Sequence, residues 1–196
     1  MTESIHLVCP HCRSVNRVPA ARLTQQPRCG QCHASLFSGH PIALTAADFD
    51  LHAQRAEIPL LVDFWASWCG PCQMMAPAYE QAAQMLEPHV RLAKVNTEEE
   101  QTLAARFGIS SIPTLVLLRG GRELARQPGA LGLQDIVRWV RSKILQAGVP
   151  LLPQSIRFQL ARFAPVLILA RFCNSPNGYA PQTQPVVVPL KPLSEL

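Results

Sequence analysis

LLVDFWASWCGPCQMMAP, residues 60–77, is the stretch from which the rest of the chain can be read. Leu60–Leu61–Val62, with Phe64 and Trp65 beyond, form the apolar run of a buried strand, interrupted by one acid, Asp63. The run breaks at Ser67–Trp68 and delivers Cys69 and Cys72 around Gly70–Pro71, after which Gln73–Leu86 reads as a helix. A thiol at or just before a helix N-terminus sits where unpaired N–H groups and the helix dipole favour an anion, so Cys69 is expected to be a low-pKa nucleophile. Cys72 lies three positions on, where both sulfurs fall on one side of the first turn and can close a small disulfide. Pro71 fits that turn because its missing N–H costs little there. The competing reading is a structural cysteine pair or half of a metal site, but a strand leading through C-x-x-C into a helix is a redox context.

Trp65–Cys72, WASWCGPC, closely resembles the active-site signature of the thioredoxin family, and Ser111–Ile112–Pro113–Thr114 resembles that family's cis-proline loop. The resemblance covers roughly Pro41 to Gly148. It implies an α/β thioredoxin fold, a mixed five-stranded sheet flanked by helices, and a thiol–disulfide oxidoreductase that reduces protein disulfides through a Cys-Gly-Pro-Cys dithiol. It implies Cys69 as nucleophile, Cys72 as resolving thiol and Asp63 as the group that transfers a proton to and from Cys72. Trp68, Gly70, Pro71, Ile112, Pro113 and Gly129 would form the substrate-binding surface, with the Pro113 loop pairing to an extended substrate segment. The partners implied are disulfide-containing proteins and a flavin-containing thioredoxin reductase that recycles the dithiol from NADPH; no organic cofactor would bind this chain. Gly-Pro between the cysteines resembles the reductases of the family more than its oxidising members.

Several of these residues carry plainer alternatives. Asp63 inside an apolar strand predicts burial and a raised pKa, whereas a carboxylate on the strand's other side would face solvent. Trp68 reads as an exposed flat surface beside the nucleophile or as simple packing, and Trp65 as core or support for the turn. Lys94, in an expected strand Val90–Val95, either pairs with Asp63 or snorkels to the surface. Met74, Met75 and Met85 read as packing residues, and Pro77 is expected to kink its helix.

Residues 1–39 carry a second constellation: Cys9–x2–Cys12 and Cys29–x2–Cys32, with sixteen residues between the pairs. That spacing suits two knuckles holding one structural zinc ion through four thiolates. Gly30 is expected to ease the second turn. Two disulfides, or His11 or His33 replacing a cysteine, are the alternatives; solvated loop histidines are the preferred reading. A four-cysteine segment before WCGPC further resembles the zinc-containing thioredoxin 2 branch of bacteria. A different class of function also fits: a zinc-dependent redox sensor or a chaperone-like binding module.

Three regions follow: a zinc ribbon at 1–39, a thioredoxin domain at 40–148, and a proline-rich extension at 149–196. Within the second, Pro41–Leu44 reads as a short strand, and Thr45 caps a helix over Ala46–Arg55. Glu98–Glu99–Glu100 reads as the first turn of another helix. Thr114–Leu118 is a strand, Arg119–Gly120–Gly121–Arg122 a hairpin turn, and Leu133–Leu145 an amphipathic closing helix.

Residues 1–149 hold 14 basic and 12 acidic side chains and residues 150–196 hold 4 and 1, so neither part has the basic density of a nucleic-acid binder. No basic start with an apolar core opens the chain, which points to the cytoplasm, where seven cysteines suggest metal binding or catalysis. The extension holds 8 of the 18 prolines. Residues 156–173 read as a broken helix or a surface-binding amphipathic segment, and Asn174 onward as a disordered tail. Three arginines and Pro165 argue against a membrane span, so membrane contact by the tail is not expected. Cys173 reads as a bystander thiol. An extension without selected function is the remaining reading.

Overall fold

The computed structural model describes residues 4–148. The expectations for the proline-rich extension and Cys173 therefore lie outside the described residues. Two sheets form. β1 (Ser4–Val8) and β2 (Val15–Pro19) make an antiparallel hairpin, closed by the Val8–Val15 pair and followed by a 3-10 turn at Ala20–Arg22. The second sheet has the order β3-β5-β4-β6-β7. Its strands are β3 (Ile42–Ala43), β4 (Leu60–Trp65), β5 (Arg91–Asn96), β6 (Thr114–Arg119) and β7 (Arg122–Pro128). β3 and β4 run parallel to β5, while β6 is antiparallel to β4 and β7 to β6. This is the mixed five-stranded sheet that the family resemblance implies.

Strand alternation distributes the helices. Leu60, Val62 and Phe64 point to the face covered by α1 (Ala46–Arg55) and α3 (Gln101–Arg106), where they meet Phe49, Ala53 and Leu103. Leu61 points to the opposite face and packs with Met75 and Tyr79 of α2 (Gly70–Leu86) and Ile136 and Val140 of α4 (Leu133–Gln146). β4 is thus buried on both faces, which is why it reads as a continuous apolar run. Two residues on from Leu61, Asp63 shares the α2 face.

Local chemistry sets the element ends. The Asp48 carboxylate accepts from the Thr45 N–H (2.8 Å) and hydroxyl (3.1 Å) at the start of α1. Gly120 and Gly121 turn the β6–β7 hairpin with φ of +54° and +76°, values a side chain tolerates poorly. Two expectations need correction. α3 starts at Gln101, not at Glu98, because the glutamate carboxylates are engaged elsewhere: Glu98 with Ser67, Glu99 with Asn96 and Glu100 with the Ala46 N–H. Met74 and Met85 are exposed (75% and 44%), and of the three methionines only Met75 is packed.

The β1–β2 hairpin and the loop after it lie against the α1–β4 connection. Leu7, Val8, Cys9, Leu23 and Leu36 share one apolar cluster with Ala56 and Ile58. The backbones lock the same seam: the Glu57 N–H donates to the His6 carbonyl (3.0 Å), and the His6 N–H to the Glu57 carboxylate (2.6 Å). Among the described residues, no helix is long and apolar enough to cross a membrane.

Candidate active site and metal centre

β4 ends at Trp65, and Ala66–Trp68 carry the chain from the C-terminal end of this central strand into α2. Cys69 is the N-cap of that helix, and its sulfur accepts from the Cys72 N–H at 3.2 Å. A negative charge on Cys69 therefore has a fixed donor and the helix dipole behind it. Cys69 and Cys72 form a disulfide, with Cα atoms 5.2 Å apart. Both are nearly inaccessible, at 3% and 2%, packed with Ala66, Trp65 and Ile112. Trp68, immediately before Cys69, is 70% exposed. The loop carrying it is pinned from both sides. Ser67 donates through its hydroxyl (2.8 Å) and N–H (3.3 Å) to Glu98, and its carbonyl accepts from the Gln73 side chain (2.6 Å).

Cys72, Met75 and Tyr79 form the inward stripe of α2. This stripe lies over the face of β4 that holds Leu61 and Asp63. Asp63 is 1% exposed, and its Oδ1 has no hydrogen-bond partner. Burial pushes its carboxyl up from 3.8 to about 7, with the nearby Lys94 charge opposing. Lys94 is the register partner of Asp63 across β4–β5, but no ion pair forms between them. Its ammonium lies 4.5 Å from the centroid of the Trp65 ring. The Tyr79 hydroxyl lies 2.8 Å from the Leu61 carbonyl and 2.9 Å from the Ala93 carbonyl, one proton shared across the β4–β5 seam. Burial, and then the Asp63 charge, hold that phenol protonated.

Opposite the dithiol, the Ile112–Pro113 peptide is cis, and the Pro113 carbonyl accepts from the Gly129 N–H at 2.8 Å. Thr114 fixes the approach to this loop through its hydroxyl, which donates to the Ser111 carbonyl (2.7 Å). Gly129 has φ +89°, and a Cβ there would meet nothing within 4 Å, so the requirement for glycine is conformational rather than steric. Gly70, Pro71 and Gly129 are exposed, Ile112 is half-buried beside the two cysteines, and Pro113 is buried.

The second cysteine cluster is built from two matching knuckles. The Cys9 N–H bonds the Ser14 carbonyl and the Arg13 N–H bonds the Cys9 carbonyl; Cys29 repeats the pattern with Ala34 and His33. Arg13 and His33, each following the second cysteine of its pair, take φ of +65° and +59°. Gly30 is not the left-handed residue, and a Cβ there would reach only ordinary contact with Asn16. The Asn16 side chain links the knuckles, donating to the Ser14 carbonyl (2.9 Å) and accepting from the Gly30 N–H (2.8 Å).

The four sulfurs of Cys9, Cys12, Cys29 and Cys32 lie within 4.8 Å of one another, with Cys9–Cys32 at 3.6 Å and Cys12–Cys29 at 3.5 Å. A tetrahedral zinc with Zn–S near 2.3 Å would set its sulfurs about 3.8 Å apart, so the donor set fits that ion in number, chemistry and spacing. His11 and His33 are exposed and lie outside the cluster. Without metal, Cys12, Cys29 and Cys32 share charge unequally. Backbone N–H groups of Cys32 and Gln31 help pull Cys29 down to about 5. The Ala34 N–H favours a Cys32 thiolate, but desolvation and the neighbouring thiols outweigh it and push Cys32 up to about 12.

Sequence reasoning does not find Asn16, Tyr79, Glu98 or the buried pair Glu87–Arg91. Tyr79 alone carries a signal, standing four and seven positions from Met75 and Cys72 on one helix stripe.

A thioredoxin family model matches residues 40–142, and a model described as the N-terminal region of thioredoxin 2 matches residues 8–34. Thioredoxin C-3 of Corynebacterium nephridii is 42% identical over 140 residues, 71% of this chain and 96% of that protein. The thioredoxin of Haemophilus influenzae is 40% identical over 98 residues, 50% of this chain and 92% of its own length. That of Pseudomonas aeruginosa is 35% identical over 108 residues, 55% of this chain and all of its own.

Proposed function

This chain belongs to the thioredoxin family of thiol–disulfide oxidoreductases, and from that premise we propose that it reduces protein disulfides through Cys69 and Cys72. The observation that carries this reading is a disulfide at the N-terminus of α2 on the same helix stripe that covers the buried Asp63. In the reduced protein, the Cys69 thiolate attacks one sulfur of a substrate disulfide. The substrate S–S bond breaks, one substrate thiolate leaves and takes a proton, and a mixed disulfide forms. Asp63 accepts the proton of Cys72; its carboxyl titrates at about 7, so it is ionised often enough at neutral pH to do so. The Cys72 thiolate attacks the Cys69 sulfur and releases the second substrate thiolate. Two electrons have passed to the substrate, and Cys69–Cys72 is oxidised. Trp68, Gly70, Pro71, Ile112, Pro113 and Gly129 line the surface on which an extended segment would lie.

The chain divides in this reading into a ribbon at 1–39, a thioredoxin domain at 40–148 and the extension from 149. One structural zinc would be held by Cys9, Cys12, Cys29 and Cys32, supplying a cross-link to a segment with little core of its own. Reducing equivalents would come from NADPH through a thioredoxin reductase, in the cytoplasm. The alternative of a zinc-dependent sensor draws on the exposure of Cys12 and Cys32.

Insulin disulfide reduction with dithiothreitol as electron source tests the proposal. Wild type should accelerate precipitation strongly, and Cys69→Ser should lose at least about a thousand-fold of that rate, the scale expected when a covalent nucleophile is removed. Equal rates for wild type and Cys69→Ser would sink it.

A further inference from the structure

Arg91 is a charged residue where the sheet requires none. It opens β5, is 3% exposed, and points into the seam between the sheet and the N-terminal segment. Its Nη2 donates to the Leu36 carbonyl at 2.5 Å, and its guanidinium stands 4.7 Å from the centroid of the Phe37 ring. Leu36 and Phe37 follow Cys32 by four and five residues. Nη1 is 3.3 Å from the Glu87 carboxylate, both side chains being only 4% exposed, yet neither of these two atoms makes a hydrogen bond. Glu87 in turn accepts from the Gly39 N–H at 2.8 Å. Residues 36–39 are thus held by one buried ion pair, Glu87 at the end of α2 and Arg91 at the start of β5.

Cys9 and Cys29 are buried, at 0% and 1%, and Leu36 shares their apolar cluster. The carbonyl that Arg91 holds therefore belongs to the residue packed with the two buried thiols.

We propose that the metal centre is shared between the two parts of the chain: the ribbon supplies four thiolates, and Arg91, paired with Glu87, holds the backbone that follows Cys32. Arg91 is a positioning residue for the centre, and metal retention is a property of the whole chain rather than of residues 1–39. This rests on the reading of the four cysteines as a zinc site.

The test uses full-length, zinc-loaded protein and the rate of zinc transfer to a chromogenic chelator. Groups that support metal ligands typically change metal affinity 10–100-fold, so Arg91→Met should release zinc at least about ten times faster than wild type. Arg91→Lys keeps the charge but not the planar contacts to Leu36 and Phe37, and should fall between the two. Leu115→Ala, in the core cluster on the α2–α4 face, serves as a destabilised control and should release zinc at the wild-type rate. In cobalt-substituted protein, the thiolate-to-cobalt band of both Arg91 variants should be displaced. If Arg91→Met does not fold, Arg91→Lys decides by the same two readouts. Wild-type release and an unshifted band in the folded Arg91 variants would overturn the proposal, as would equally fast release from Leu115→Ala. Wild-type protein that takes up no zinc would remove the metal reading and the proposal with it.

Discussion

Cys69–Cys72 and the two N-terminal pairs have the same C-x-x-C spacing, yet their sulfurs are used in opposite ways. At Cys69–Cys72 the chain turns directly into α2, the Cys72 N–H points at the first sulfur, and the two sulfurs of one pair bond each other. In the knuckles the chain leaves through a left-handed residue, Arg13 or His33, and the close sulfur contacts run between pairs, Cys9 to Cys32 and Cys12 to Cys29. The backbone after the second cysteine separates a redox pair from half a metal site. A helix brings two sulfurs onto one turn, while a knuckle turns them outward to a shared point.

The comparison can be broken most directly at the ribbon. Cys9→Ser removes one of four ligands from a site class worth roughly 10–16 kcal/mol, so zinc affinity should fall on the order of a thousand-fold, read by metal content after dialysis against a chelator. Insulin reduction should survive in large part. Complete loss of activity in a folded, zinc-free variant would show that the two clusters are not separable.

Asp63 sharpens the other half. Its folded pKa, about 7, lies above its usual 3.8, so the folded protein keeps a proton that the unfolded chain releases between those values. Stability declines as pH rises through that window, and the full cost is present above pH 7. Asp63→Asn should therefore stabilise the protein by about 4 kcal/mol at pH 8, and the gain should vanish near pH 4. Denaturant titration at the two pH values measures it, and a gain that is equal at both would refute the buried, proton-holding carboxyl. The same variant should slow disulfide turnover most at neutral pH.

The smallest effect concerns the left-handed turn. His33→Gly relieves a strained φ at an exposed position, so stability should rise by a few tenths to about 1 kcal/mol with zinc content unchanged. A fall in zinc content would make His33 a ligand after all.

How far the sequence can be read depends on the range of each interaction. Cys69, the helix it caps and the paired knuckles are local patterns, visible in windows of a few residues. Asp63 stands out as one acid in an apolar run. Glu98 reaches Ser67 across 31 positions, Tyr79 reaches Leu61 across 18, and Arg91 reaches Leu36 across 55. In the linear chain each reads as an ordinary surface or core residue. Charge alone puts the Glu98–Glu100 run in a helix, but its carboxylates are taken by backbone and side chains brought near by the fold.

By itself the sequence determined the strand–dithiol–helix unit, the four-cysteine spacing, the hairpin at Gly120–Gly121 and the sheet's apolar faces. These follow from residue periodicity, turn chemistry and the propensities of short segments. Only the tertiary structure decided that Lys94 lies over Trp65 rather than on Asp63, that Tyr79 bridges β4 and β5, and that a buried Glu87–Arg91 pair holds the N-terminal segment to the sheet. Such contacts depend on which groups are desolvated together, and desolvation is set by the packed assembly and not by any one stretch of chain.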